Sequence, residues 1–275
     1  MILQNQNKVP ASFRDPSGFV FRSKSVFYRQ INKSYAKEYD HFVKSGLFKK
    51  LINKKMLLDH KEVKNIKTDN LAYKTILPIQ IPFWSYPYEW SFSQLKDAAV
   101  LTLEIQNIAL AHKMILKDAS AYNIQFMQGH PILIDTLSFD FYKEGEPWVA
   151  YRQFCQHFLA PLALMSYVDL RFGKLSQIYL DGIPLDLAAR LLPQKTKLSL
   201  GLGVHLHLHA RYQKKFANQG AVNINRRFNK NQLLGILSSL KKLILSLKLP
   251  KQMTVWANTT RILIIPTAPL NINQK

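Results

Sequence analysis

Apolar and polar residues change their spacing several times along this chain, and each change marks an element. In "GFVFRSKSVFYRQIN" (18–32) two β-rich runs flank Ser23-Lys24-Ser25, which predicts a hairpin. The next block, "SYAKEYDHFVKSGLFKKLINKKML" (34–57), has helical spacing. Ser34 stands where a cap would, and Gly46 ends or interrupts the first helix. "LAYKTILPIQIP" (71–82) reads as a strand running into Pro-rich punctuation. Pro78, Pro82 and Pro87 mark out "FWSYPYEW" as an aromatic connector that cannot form a regular helix.

A longer helix is expected from Ser91, which forms an S-x-x-Q capping box with Gln94. Leu95, Ala98, Ala99, Leu103 and Leu110, with Leu101, Ile105 and Ile108, leave it little polar face, so it should be buried on most sides. Two short strands follow, "NIQFM" and "PILIDT", joined through Gln128-Gly129-His130. "WVAYRQFCQHFLAPLALMSYVDLRFG" (148–173) predicts helices broken at Pro161, and "DGIPLDLAARLLP" (181–193) a turn and a short helix. "LLGILSSLKKLILSLKLP" (233–250) is the run closest to a membrane span. Lys241 and Lys242 interrupt it, so it reads as an amphipathic helix, and no transmembrane segment is expected.

Composition narrows the classes. At 275 residues and 47% hydrophobic, the chain has room for one large domain or two small ones. Its 16 Phe and 12 Tyr argue against disorder over most of its length. The one cysteine, Cys155, excludes an internal disulfide or a Cys-rich zinc site and reads as a small buried apolar residue. That usage fits a reducing cytoplasm, and the opening "MILQNQNKVPASFRD" lacks a signal-peptide pattern. The net charge of +21 is uneven: Asp186 is the last acidic residue, and fourteen Lys or Arg follow from Leu191 onward. A region so basic suits nucleic acid, anionic lipid, phosphorylated substrates or an acidic partner, or reflects a codon bias toward Lys.

The chemistry concentrates in "LKDASAYNIQFMQGHPILIDTLSF" (116–139). Asp118 lies in a loop after the long helix, Asn123 at the start of one strand, and Asp135 at the end of the next. A hairpin should bring these hard oxygen donors to one cleft, a set suited to Mg²⁺ and phosphate chemistry. This spacing resembles the catalytic loop and metal-binding Asp of the protein-kinase-like superfamily, which includes aminoglycoside and lipopolysaccharide kinases. The resemblance implies Asp118 as the base orienting an acceptor hydroxyl, and Asn123 and Asp135 as ligands of the metal bridging ATP phosphates. It departs from the family pattern at Leu116 and Lys117, at Thr136 and Leu137, and in the lack of a glycine-rich loop near Gly18. With no clean lysine on a third strand, Arg29 is the candidate cation at the cofactor, and Glu38 its candidate partner.

A second resemblance covers more of the chain. The blocks "SYPYEWSFSQLKDAA", "LKDASAYNIQF", "IDTLSF", "PWVAYRQFCQHFLAPLALM" and "DGIPLDLA" resemble the amino-terminal region of larger bacterial proteins. These are labelled class I SAM-dependent methyltransferases or relatives of the nodulation protein NoeA. In that family a methyltransferase domain with a glycine-rich SAM loop follows, whereas here the G-x-G at Gly201-Leu202-Gly203 is followed by no acidic residue to bind a ribose. The chain therefore reads as a truncated or frame-disrupted member, and SAM is not an expected cofactor.

Other constellations are weaker. His205, His207 and His209 in "HLHLHA" would share a strand face and bind zinc, but the flanking "ARYQKKFA" favours a helix, on which only His205 and His209 pair. Cys155 and His157 are two apart and do not face each other on a helix. Phe83, Trp84, Tyr86, Tyr88 and Trp90 suit a base-stacking platform, a nucleotide pocket or ordinary packing.

Together these readings predict an α+β, protein-kinase-like fold of two lobes with a helical basic C-terminal extension. The expected boundaries are a loose terminus at 1–12, a small lobe at 13–82 and a helical core with the catalytic-loop hairpin at 83–193. A basic extension at 194–256 and a disordered tail at 257–275 complete them. Three functions are carried forward: an ATP- and Mg²⁺-binding phosphotransferase-like or degenerate module, the recognition half of a methyltransferase with a separate methyltransferase domain or acidic partner, and a nucleic-acid binder.

Overall fold

A computed structural model of the protein describes residues 7–9, 12, 15–64, 66, 69–211 and 229–249. These form a mixture of helix and sheet. The amino-terminal part is a five-stranded antiparallel sheet in the order β1-β2-β3-β5-β4. Its strands are β1 (Asn7–Lys8), β2 (Gly18–Ser23), β3 (Val26–Asn32), β4 (His60–Val63) and β5 (Ala72–Pro78). The predicted hairpin is β2–β3, in register from Gly18↔Ile31 to Ser23↔Val26, with Lys24 in the left-handed turn position at φ 55°.

Between β3 and β4 the chain forms two helices, α1 (Ala36–Lys44) and α2 (Leu47–Asn53). Gly46 divides them. Its φ of 81° suits a residue without a side chain and ends one helix as the next begins. Ser34 does not cap a helix. It sits in a 3-10 turn, and its hydroxyl donates to the Pro16 carbonyl.

Helix α3 (Phe92–Ala111) opens with the expected capping box: Ser91 Oγ accepts from Gln94 N, and Gln94 Oε1 accepts from Ser91 N. It buries residues around most of its circumference and is the spine of the main core. Strand β6 (Met114–Leu116) leads from it into the Asp118 loop and pairs with β9 (Phe139–Phe141). Strands β7 (Ile124–Met127) and β8 (His130–Leu133) form the second hairpin. Gln128 and Gly129 turn it, both at positive φ.

The predicted break at Pro161 is instead a wide turn. α4 (Tyr151–Phe154) passes through a π turn (Cys155–Leu159) into α5 (Ala160–Tyr167), with no gap. Proline lacks an N–H to give the preceding turn, and one extra residue in a wider, under-wound turn absorbs the misfit without ending the helix. Two further helices, α6 (Leu175–Ile178) and α7 (Leu185–Leu191), follow.

The helix Lys230–Ser246 buries Leu233, Leu237, Leu240 and Ile244 at helical spacing, within the core built on α3. Lys241 reaches Glu104 of α3 at 2.7 Å, and Lys96 donates to the carbonyls of Leu245 and Leu247. The described parts of the segment expected as a basic extension, up to 211 and from 229 to 249, thus contribute to the main core. Residues 212–228 and 250–256 of that segment, and the tail expected at 257–275, lie outside the described residues. Among the described residues no helix is long and apolar enough to cross a membrane.

Candidate functional site

Arg29 lies in the middle of β3, opposite Val20 of β2 and Ile76 of β5. A largely buried guanidinium needs charge partners, because desolvation penalises a bare cation heavily. Arg29 has two. Its Nη1 is 2.6 Å from Asp135 Oδ1, and its Nη2 is 3.2 Å from Asp15 Oδ2. The expected partner Glu38 is not one of them. Among the described residues, Glu38 Oε2 and Arg29 Nε are both buried without a hydrogen-bond partner.

The β7–β8 hairpin brings Asn123 and Asp135 together. Ile134 N donates to the Asn123 carbonyl at 2.8 Å, aligning the strand ends. Ser138 then links the side chains: its Oγ donates to Asp135 Oδ2 at 2.7 Å and accepts from Asn123 Nδ2 at 3.3 Å. Leu137 N donates to Asp135 Oδ1 at 2.9 Å, so both carboxylate oxygens are oriented. Two neighbours hold this turn against the sheet. Leu137 is fully buried among Ile31, Tyr35, Tyr39 and Ile76. Gly18 allows the close approach, since a Cβ there would sit 2.0 Å from the Gln30 carbonyl oxygen and 2.8 Å from Leu137 Cδ1.

Asp118 is beside this cluster rather than in it. Its Oδ1 accepts from Ser120 N at 2.9 Å, closing the loop locally, and among the described residues it makes no hydrogen bond or ion pair to Asn123, Asp135 or Arg29. Its neighbour Lys117 is tied in: Lys117 N donates to the Ser138 carbonyl at 2.8 Å. Lys117 Nζ lies 4.5 Å from the Tyr35 ring centroid and donates to Ser17 Oγ at 2.6 Å. Burial, and then the nearby Asp135 carboxylate, push the Tyr35 phenol well above its ordinary range, so it stays neutral and donates to the Phe139 carbonyl.

The chain of contacts therefore runs Asp15, Arg29, Asp135, Ser138, Asn123. Of the predicted residues it joins Arg29, Asp135 and Asn123, with Asp118 in the adjoining loop and Glu38 unpaired. Asp15, Ser17 and Ser138 were not singled out from sequence, and Lys117 was marked only as a departure from the kinase-like pattern. "DPSG" at 15–18 did carry a turn signature.

The remaining candidates have structural roles. His205 lies in a π turn (Gly203–Leu208), bonded to Tyr151 Oη and Ser239 Oγ, and His207 bonds Thr196 Oγ1. Among the described residues no group of three or more His, Cys, Asp or Glu is placed to hold a metal. Cys155 is fully buried, and burial pushes its thiol up to about 12, so it is not a nucleophile. Of the aromatic connector, Trp90 is buried against Phe126, whereas Phe83, Trp84 and Tyr86 are exposed.

Comparison with known proteins adds a relative. The chain is homologous to the nodulation protein NoeA of Rhizobium meliloti (strain 1021), at 32% identity over 257 residues. That alignment takes in 90% of this chain and 54% of the relative, so the chain spans about half the length of the curated protein it matches. No family model matches. Among solved structures, vaccinia related kinase 3 aligns over 90% of this chain and 88% of its own at 11% identity, with a TM-score of 0.42.

Proposed function

We propose that this chain is a nucleotide- and Mg²⁺-binding module of kinase-like, two-lobed arrangement, part of a methyltransferase-associated protein. The observation that carries the reading is the Arg29–Asp135 ion pair, which sets a sheet cation against the end of a hairpin that also presents Asn123. On this reading residues 13–82 form the small lobe and 83–193 the helical core. Arg29 takes the nucleotide phosphates. Glu38, with one carboxylate oxygen buried and unpaired, becomes the acceptor for Arg29 as the nucleotide enters. Asp118 orients the acceptor hydroxyl.

The donor set suits Mg²⁺. That ion keeps several waters and is held by one or two protein oxygens plus substrate phosphates, so it needs no cage of three carboxylates. The Asp135 carboxylate and the Asn123 amide oxygen, one hydroxyl apart through Ser138, would hold it. Bound there, the ion would offset charge on the phosphate oxygens. Calorimetric titration with ATP, with and without Mg²⁺, tests the reading. Asp135→Ala should abolish metal-dependent binding, and Asp118→Ala should spare binding while removing any turnover. A wild-type chain that binds no nucleotide in either condition ends the proposal.

A second reading is favoured by the alignment, which leaves nearly half of the NoeA relative unmatched. On it the chain is the non-catalytic recognition half of a SAM-dependent methyltransferase, and it does not bind SAM unaided.

A further inference from the structure

Lys117 has no role in the reading above, yet it converges with Arg29 on the same turn. Arg29 Nη2 donates to Asp15 Oδ2 at 3.2 Å, and Lys117 Nζ donates to Ser17 Oγ at 2.6 Å. Asp15 Oδ1 accepts from Ser17 N at 2.8 Å and closes the turn on itself. Two cations far apart in sequence, one on β3 and one just after β6, are thus met by a carboxylate and a hydroxyl from three consecutive residues. Anionic and neutral oxygens are also what a phosphoryl group would offer to a guanidinium and an ammonium.

The turn does not depend on those cations for its place. The Pro16 carbonyl accepts from Asn32 Nδ2 at 3.0 Å and Ser34 Oγ at 3.1 Å, and the Ser17 carbonyl accepts from Asn32 N at 2.8 Å. Its backbone is held by the sheet, and only two side chains must let go for Arg29 and Lys117 to take another anion. In a chain of net charge +21, a carboxylate here stands out.

We propose that Arg29 and Lys117 form one phosphoryl-binding site, and that the turn at 15–17 fills it as a built-in competitor for the phosphate end of a nucleotide. The proposal rests on the nucleotide-binding reading above. A competitor of this kind lowers apparent affinity by the fraction of time it holds the site.

The test titrates the full chain with MgATP and separately with adenosine, comparing wild type, Asp15→Asn, Ser17→Ala and the double variant Asp15→Asn/Lys117→Met. Asn keeps the oxygen that accepts the Ser17 N–H and loses the charge on Arg29. Asp15→Asn should bind ATP up to about fivefold more tightly, the value of one partly exposed ion pair at the upper end of its usual range. Adenosine affinity should not change. Ser17→Ala, which removes only the acceptor of Lys117, should move ATP affinity in the same direction. Adding Lys117→Met should cancel most of the Asp15→Asn gain. If wild type and both single variants bind ATP equally, the competitor is refuted and nucleotide binding stands. If adenosine tightens as much as ATP, the gain is not at a phosphate and the proposal fails. If no form binds ATP, it falls together with the reading it rests on.

Discussion

Arg29 shows how the chemistry of a side chain is legible in sequence while its partners are not. Its chemistry, a delocalised cation able to bond two carboxylates at once, is a property of the side chain alone. Which carboxylates it meets depends on ångström-scale placement, and here they are Asp15 and Asp135, not Glu38. Buried histidines allow a test at the same scale. His60 and His157 are each less than a tenth exposed, and burial lowers both from 6.5 to about 4. Between those values the unfolded chain binds protons that the fold refuses. Their contribution is therefore complete above pH 6.5 and lost as pH falls from 6.5 toward 4. Urea denaturation across pH 4–7 should show midpoints dropping on the acid side. His157→Gln should reduce that slope by up to about 1.4 kcal/mol per pH unit, the value of one proton. An unchanged slope would mean that His157 protonates freely in the fold.

Elements were legible where their signals are local. The β2–β3 hairpin, the α1/α2 division at Gly46 and the capping box of α3 all rest on contacts between residues near in sequence or on one glycine. They stand where periodicity and punctuation put them. Ser34 and Pro161 differ for a common reason: each answers to something beyond its own segment. Ser34 spends its hydroxyl on Pro16, and Pro161 sits in a helix so buried that one wide π turn costs less than exposing an end. The α3 cap carries an expectation of its own. Ser91→Ala removes the acceptor for Gln94 N and should cost about 1 kcal/mol, measured as a shift in the urea midpoint with unchanged m-value. A shift below a few tenths would mean that packing along α3 overrides its cap.

At the scale of the whole molecule, the site is made of parts from four stretches: the turn at 15–17, β3, the segment after β6 and the end of the β7–β8 hairpin. Leu137 joins them by burying itself in the sheet's small core while its neighbours Asp135 and Ser138 turn to Arg29 and Asn123. A ligand that grips Arg29 and Asp135 together should stabilise both sides of this joint. Hydrogen exchange in MgATP should therefore slow in β2–β3 and β7–β8 in concert, and Asp135→Ala should lose both effects. Protection confined to one hairpin would argue against a shared ligand. The basic carboxy-terminal segment belongs to this scale as well: its helix Lys230–Ser246 is part of the main core, with Lys241 matched by Glu104, so its charge is not all on a free face.

The sequence by itself determined the local elements, the identity of the oxygen and nitrogen groups at the site, and the approach of Asn123 to Asp135. A two-residue turn leaves a short hairpin little choice of register, so that approach is local too. Only the tertiary structure decided that Asp118 stands aside, that Glu38 is left unpaired, and that Asp15, Ser17 and Lys117 enter the site. Those outcomes depend on how closely the sheet approaches the hairpin. That distance is set by Gly18 and Leu137, which are far apart in the chain and carry no chemistry of their own.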